Sequence, residues 1–439
     1  MTHGRSGASS GASGSPTRTV LLVSRWFPPA FQIGGKRAFR FARYLPDHGW
    51  RPIVWTGAHP DEVPHDRTPI ALPESVVVDR TLIPRWWPEP RRRLVVGADI
   101  TPGHGMKPPG SLGRLRRGLT MPVAEELVLM PLLLRRLTTL VERYRPDVLM
   151  ATSSPYWTLV LGRLAAARHG LPLVLDLRDP WTPNFLQEHK AGWVRRVECS
   201  VERRCLAAAA RVTFTAPATT AAYQALYPEL ASRLCTITNA FDPDQAPVAT
   251  SRGDAPEGSE RVLVHFGNCY GKRRLDGVLR GLATLRDEHG ESLDSIRVLN
   301  LGKPDAEDVA LAERLGVRLD VQPFLPLADG LALLAGADVQ LLVGYGDEEM
   351  FIPAKLFDYL LSGAPILAVG RAQEVGRIVE RTGTGLSVMG DDPSATARAL
   401  RRLLAREHGP RDEAAVSTYA APSTTRALAR LLTDVVAER

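Results

Sequence analysis

Short apolar runs alternate with helical stretches along almost the whole chain, and this alternation limits its fold more than any other feature. In the first half the runs that read as strands are Thr19–Ser24, Arg51–Thr56, Ser75–Asp79, Asp147–Thr152, Pro172–Leu177, Arg211–Ala216 and Leu234–Thr238. The second half repeats the scheme with Arg261–Gly267, Ser295–Gly302, Arg318–Gln322, Ala337–Gly344, Pro365–Val369 and Gly385–Val388. Helical spacing fills the gaps: Lys36–Asp47 sets Ala38, Phe41, Ala42 and Leu45 on one face, and Leu275–Glu288, Ala306–Leu315 and Pro353–Ser362 follow the same rule. Near-continuous β-branched strands separated by helices imply parallel sheets covered on both faces. The fold class expected is α/β, with two doubly wound Rossmann-like domains.

A chain of 439 residues exceeds one compact core, so two domains are expected. Asp242–Glu260 is rich in Pro, Asp, Gly and Ser and reads as the linker between them. Residues 1–18 read as a disordered polar tail, 19–241 as the first domain and 261–412 as the second. Residues 413–439 hold a last helix, Thr424–Glu438, placed to pack back on the first domain. In doubly wound sheets ligands bind outside the carboxyl ends of the strands, so two such sheets face each other across a cleft.

Composition removes several classes. Cys199, Cys205, Cys235 and Cys269 form no Cys-x-x-Cys pair, so a disulfide framework or zinc site is not expected, and a reduced, cytoplasmic setting is. No apolar run approaches the ~20 residues a bilayer crossing needs. Net charge is +7, and it is uneven: Arg85, Arg91, Arg92, Arg93, Lys107, Arg114, Arg116 and Arg117 face only Glu89 and Asp99 within 85–117. Trp86 and Trp87 open that insertion. Basic residues beside tryptophans suit an anionic membrane surface, at the inner face of the cell membrane. A nucleic-acid patch and a plain solvated insertion are the competing readings.

The segment Phe351–Leu367 carries the most chemistry. Pro353 fits the first helical position and Gly363 the position just past the helix end. The amide end of such a helix carries roughly half a positive charge and can hold a phosphate. Lys355 adds a point charge, and Asp358 can accept hydrogen bonds from vicinal hydroxyls. An ordinary amphipathic helix is the bland alternative. Gly34-Gly35, between the first strand and its helix, lets backbone approach a ligand, but a third glycine of the dinucleotide fingerprint is missing. Asp176-Leu177-Arg178-Asp179-Pro180-Trp181-Thr182 sets two carboxylates and a guanidinium at a strand's carboxyl end. One carboxylate could accept a proton there and Arg178 could bind an anion, or the pair could simply pin the loop. Lys272, Arg273 and Arg274 follow the first strand of the second half, where they could neutralise a diphosphate.

In their order these segments, with Ser24–Pro29 and Thr238–Asp242, resemble the GT-B-fold glycosyltransferases of the "group 1" type (family four). That is a retaining class with nucleotide-sugar donors, and the likeness is to its polysaccharide and glycolipid branch. The resemblance makes 19–241 the acceptor domain and 261–412 the donor domain. It implies that Gly34 and Gly35 approach donor phosphates or acceptor, and that Arg273, with Lys272 or Arg274 as the near alternatives, contacts the diphosphate. Lys355 falls beside that group, Asp358 matches the acid that binds the ribose hydroxyls, and Phe324 falls where the base is lined. Three positions depart from the family: Met350 where a first acid would stand, Asn268 for an arginine, and Arg178 for a histidine. Asp179 and Arg178 are therefore the candidate catalytic groups.

The activity implied is transfer of a sugar from a nucleoside diphosphate sugar to an acceptor hydroxyl of a glycan or lipid-linked acceptor. Neither a metal nor another cofactor is expected, and no nucleic acid. A nucleotide-sugar epimerase of the same architecture, or a membrane- or nucleic-acid-binding protein, are the alternatives.

Overall fold

The computed structural model describes residues 18–29, 33–57, 71–80, 123, 125–183, 192–247, 259–269, 273–344, 350–371 and 373–439. The basic insertion 85–117 and Lys272 lie outside the described residues. The chain forms two parallel sheets. The first joins β1 (Arg18–Ser24), β2 (Trp50–Thr56), β3 (Val77–Asp79), β4 (Val148–Thr152), β5 (Leu173–Leu177), β6 (Arg211–Phe214) and β7 (Leu234–Thr236). Its order is β3-β2-β1-β4-β5-β6-β7. The second joins β8 (Arg261–Phe266), β9 (Ile296–Leu301), β10 (Leu319–Gln322), β11 (Val339–Val343), β12 (Ile366–Val369) and β13 (Gly385–Val388), in the order β10-β9-β8-β11-β12-β13.

Every strand pair in both sheets is parallel. Burial explains why. Val20 to Val23, Leu149 to Ala151 and Leu173 to Leu175 are almost fully buried on both pleat faces, so they have no polar side to turn to water. Strand order reverses beside β1 and beside β8, and these two switch points are where a doubly wound sheet opens a crevice.

The lobes are tied at several places. The last helix, Ala421–Ala437, seats Leu428, Ala429, Leu432 and Val435 in one core with Val20, Val54, Val148 and Phe41 of the first lobe. Phe241 pairs with Ala420 as a parallel bridge, and Thr219 donates to the Met350 carbonyl at 2.5 Å. Helix Ile33–Tyr44 grips the crossover between the lobes with one face. Arg37 donates to the Thr238 carbonyl at 2.7 Å, Arg40 to the Ala240 carbonyl, and Tyr44 to Asp242 at 2.6 Å. Arg43 pairs with Asp242 at 3.0 Å. The segment that reads as a linker thus opens on an anchored, buried residue, Asp242.

Candidate active site

The first lobe contributes the carboxyl ends of β1, β4 and β5. Asp176, the fourth residue of β5, lies beside Thr152 on β4 and Thr213 on β6 in the strand register. Both hydroxyls donate to it, at 2.8 and 2.7 Å, and Arg37 closes the set with contacts of 2.8 to 3.1 Å. Burial opposes the charge on Asp176, yet Arg37 and the hydroxyls outweigh it and hold the carboxyl below its ordinary range. Asp176 is therefore a buried brace between the sheet and helix Ile33–Tyr44. It is not a rim carboxylate.

Arg178 and Asp179 do stand at the rim. The Arg178 guanidinium donates to Asp179 Oδ2 from Nε at 3.1 Å and from Nη2 at 2.9 Å, and Nη2 reaches Ser154 Oγ at 3.2 Å. Gly34 lies directly against it: a Cβ there would come within 2.6 Å of Arg178 Nη1. Gly35 is buried beside the Trp26 carbonyl. The glycine pair thus admits these protein neighbours. Asp179 is about one-third exposed, at 33%. Its loop is braced from below. Glu202 accepts from Tyr223 at 2.5 Å and from the Thr182 backbone at 3.3 Å, and the Tyr223 hydroxyl accepts from the Trp181 amide at 2.8 Å. Burial raises the Glu202 carboxyl, and its hydroxyl donors only partly restore it.

The second lobe contributes the carboxyl ends of β8, β9 and β11. Helix Ala354–Ser362 starts one residue later than the proline rule implies, with Pro353 as its cap, and Gly363 ends it at φ +91°. Lys355, in the first turn, folds over Gly267. Any Cβ at that glycine would lie 2.1 Å from Nζ, and φ +136° is itself a glycine conformation. His265 Nε2 is 3.4 Å from the same ammonium, and His265 Nδ1 is 2.7 Å from Asn300 Oδ1. Among the described residues Lys355 makes no ion pair. Burial, and then the Arg273 charge, pull its ammonium down to about 7. Burial, then Lys355, hold His265 neutral well below its ordinary range. Two cations, Lys355 and Arg273, so share a half-buried corner beside a helix N-terminus.

Arg274 is not part of that corner. It turns to Asp308 at 2.9 Å and to Glu307 and serves the packing of the helices. Asp358 sits one turn beyond Lys355. Its charge acts on Lys355 and, across the lobes, on Arg40. Phe324 is 64% exposed and stacks on Phe266, the last residue of β8, with centroids 5.1 Å apart. It offers an open ring face beside the Gly267 turn. His265, Asn300 and Arg37 escaped the sequence reading. A polar residue inside an otherwise apolar buried strand was the available signal, and His265 and Asn300 are direct partners in the β8–β9 register.

Two facing Rossmann-like lobes of this topology, joined by a returning C-terminal helix, define the GT-B class. Solved GT-B enzymes confirm the likeness over nearly the whole chain. A trehalose 6-phosphate synthase of Burkholderia multivorans matches with a TM-score of 0.61 at 14% identity, covering 96% of this chain and 97% of that one. The Anabaena protein HepE, solved in complex with UDP-glucose, matches with a TM-score of 0.51 at 17% identity, covering 96% and 98%. These likenesses establish the fold.

The chain is thus a GT-B-fold protein, and residues 34–245 match the family described as Glycosyltransferase Family 4. That match holds the Gly34-Gly35 turn, the Arg37–Asp176 brace and the Arg178–Asp179 pair. A curated relative, the probable glycosyltransferase WbjE of Pseudomonas aeruginosa, is 30% identical over 151 residues, or 33% of this chain and 36% of the relative. The chain is therefore matched to about a third of that relative's length. No helix among the described residues is long and apolar enough to cross a membrane.

Proposed function

We propose that the protein transfers a sugar from a nucleoside diphosphate sugar to an acceptor hydroxyl, with retention at the anomeric carbon. The acceptor is a glycan or a lipid-linked precursor in polysaccharide or glycolipid assembly. One observation carries this reading: Lys355, half-buried and in no ion pair among the described residues, lies with Arg273 at the amide end of helix Ala354–Ser362. A partly buried cation with no ion-pair partner is costly, and a bound diphosphate would supply compensating charge. The family match over the first lobe and the UDP-glucose bound by HepE support the same reading.

In this reading the diphosphate lies against Lys355, Arg273 and the helix N-terminus, with Lys272 close by in sequence. Phe324 stacks the base and Asp358 accepts from the ribose hydroxyls. The barrier is charge separation, as an oxocarbenium-like sugar forms while the diphosphate leaves. Fixed cations aimed at the leaving group lower it most. Gly34, Gly35, Arg178 and Asp179 face the transferred sugar and acceptor from the first lobe. Arg178 holds Asp179 in place, and Asp179 takes the acceptor proton.

The test couples turnover to acceptor. Release of nucleoside diphosphate from a donor panel should require a glycan or lipid-linked acceptor, and Asp179→Asn should lower kcat by about 100-fold or more with donor affinity retained. An epimerase would interconvert donor sugars with no acceptor-dependent release, and that outcome would remove this proposal.

A further inference from the structure

Strands β8 and β9 each bury one polar side chain among apolar ones. His265 and Asn300 are fully buried and stand opposite each other in the register. An apolar pair would avoid their desolvation, so both must be satisfied by partners. Those partners run in one line. Asn300 Nδ2 donates to the Gly302 carbonyl at 2.7 Å, which leaves Oδ1 as the atom facing His265 Nδ1, also at 2.7 Å. An amide oxygen only accepts, so Nδ1 carries the ring proton and Nε2 keeps its lone pair. Lys355 Nζ lies 3.4 Å from that lone pair. The anchor is fixed in the same turn that Lys355 folds over: a Cβ on Gly302, at φ +135°, would come within 2.8 Å of the Gly267 carbonyl.

We infer that His265, held by Asn300 as the Nδ1–H tautomer, is the positioning residue of Lys355, accepting one N–H of the ammonium and aiming the other two at the donor diphosphate. This rests on the sugar-transfer reading for the identity of the ligand. A lysine is a point charge on a flexible four-carbon stem, and a fixed acceptor removes much of that freedom before the ligand arrives. The other ionisable groups around the ammonium act on it through charge. Arg273 opposes its charge and Asp358 favours it. Cys269, 3.7 Å from His265 Nδ1, stays neutral because burial pushes its thiol up to about 12. Burial and the neighbouring ammonium keep His265 uncharged as well. It is therefore a neutral acceptor and not a third cation in the corner.

The experiment is a magnetic-resonance titration of the ligand-free full chain with isotope-labelled lysine, the Lys355 signal being assigned by its loss in Lys355→Met. In the parent it should titrate at about 7. In His265→Leu it should titrate about one pH unit lower or more, because the ammonium loses its acceptor. His265→Gln, whose side-chain oxygen reaches the place of Nε2, should restore the parent value. A nitrogen spectrum of the parent should show His265 protonated at Nδ1 and bare at Nε2. Calorimetry with a nucleoside diphosphate sugar adds the functional readout: the affinity deficit of His265→Leu should widen about tenfold between about pH 5.5 and about pH 8. A deficit constant across that range would mark a structural role and overturn the inference. So would an unshifted Lys355 titration in His265→Leu, or a proton on Nε2 in the parent. The ligand-free arm separates the two readings: a protein that titrates as expected and binds no such donor would remove sugar transfer and keep His265 as the group that positions Lys355.

Discussion

Lys355→Met is expected to raise the melting temperature of the ligand-free protein while weakening donor binding by about 100-fold. The two effects have one cause. Burial and Arg273 hold the ammonium at about 7, far below its value in an unfolded chain. A lysine whose folded pKa is depressed opposes folding at every pH below its unfolded value, because the unfolded chain binds the extra proton more tightly. Methionine keeps the stem that packs over Gly267 and removes that penalty. In the complex the sign reverses: a diphosphate favours the ammonium, and its loss leaves buried phosphate oxygens unpaired. Melting curves with and without a nucleoside diphosphate sugar separate the two effects. A variant that melts lower and still binds donor normally would show that Lys355 is structural.

Arg37→Ala is expected to destabilise the first lobe by roughly 3–5 kcal/mol, the usual effect of stranding one member of a buried ion pair. Arg37 and Asp176 are 5% and 0% exposed, so water cannot replace the missing guanidinium. The change also removes a donor to the Thr238 carbonyl and loosens helix Ile33–Tyr44 from the crossover. Asp176→Asn in the Arg37→Met background should recover much of the loss, since the uncharged amide still accepts from Thr152 and Thr213. Denaturant melts of the single and double variants give the coupling. A loss below about 1 kcal/mol in the single variant would mean that Asp176 is neutral or hydrated in the folded state.

The same pair shows where sequence reading stops. Both sheets were legible strand by strand because their central strands are buried on both faces and mostly apolar. Ala306–Leu315 was legible to the residue because Asp305 caps it and Gly316 ends it. Lys355 was legible because a proline, a lysine and a glycine mark one short helix. Asp176 was read with Arg178 and Asp179 as one rim cluster, although it faces inward toward an arginine 139 residues away. Setting the ends of β4, β5 and β6 side by side would have revealed the Thr152, Asp176, Thr213 row. Arg274 was likewise read with Arg273, since adjacent cations look alike until the acids of Ala306–Leu315 fold against one of them. Arg40 and Asp358 approach each other only because the lobes meet, and no local pattern encodes that.

Central to the account is that a diphosphate meets a lysine that is only part-charged in the empty protein. Titration calorimetry of a nucleoside diphosphate sugar near pH 8, repeated in buffers of different ionisation enthalpy, reads this directly. The doubly substituted diphosphate does not itself titrate there, so proton uptake belongs to the protein. Net uptake of a proton is expected on binding, with affinity falling about tenfold per pH unit above 7 and level below it, and both effects absent in Lys355→Met. Binding with no proton uptake and equal affinity in the variant would contradict it.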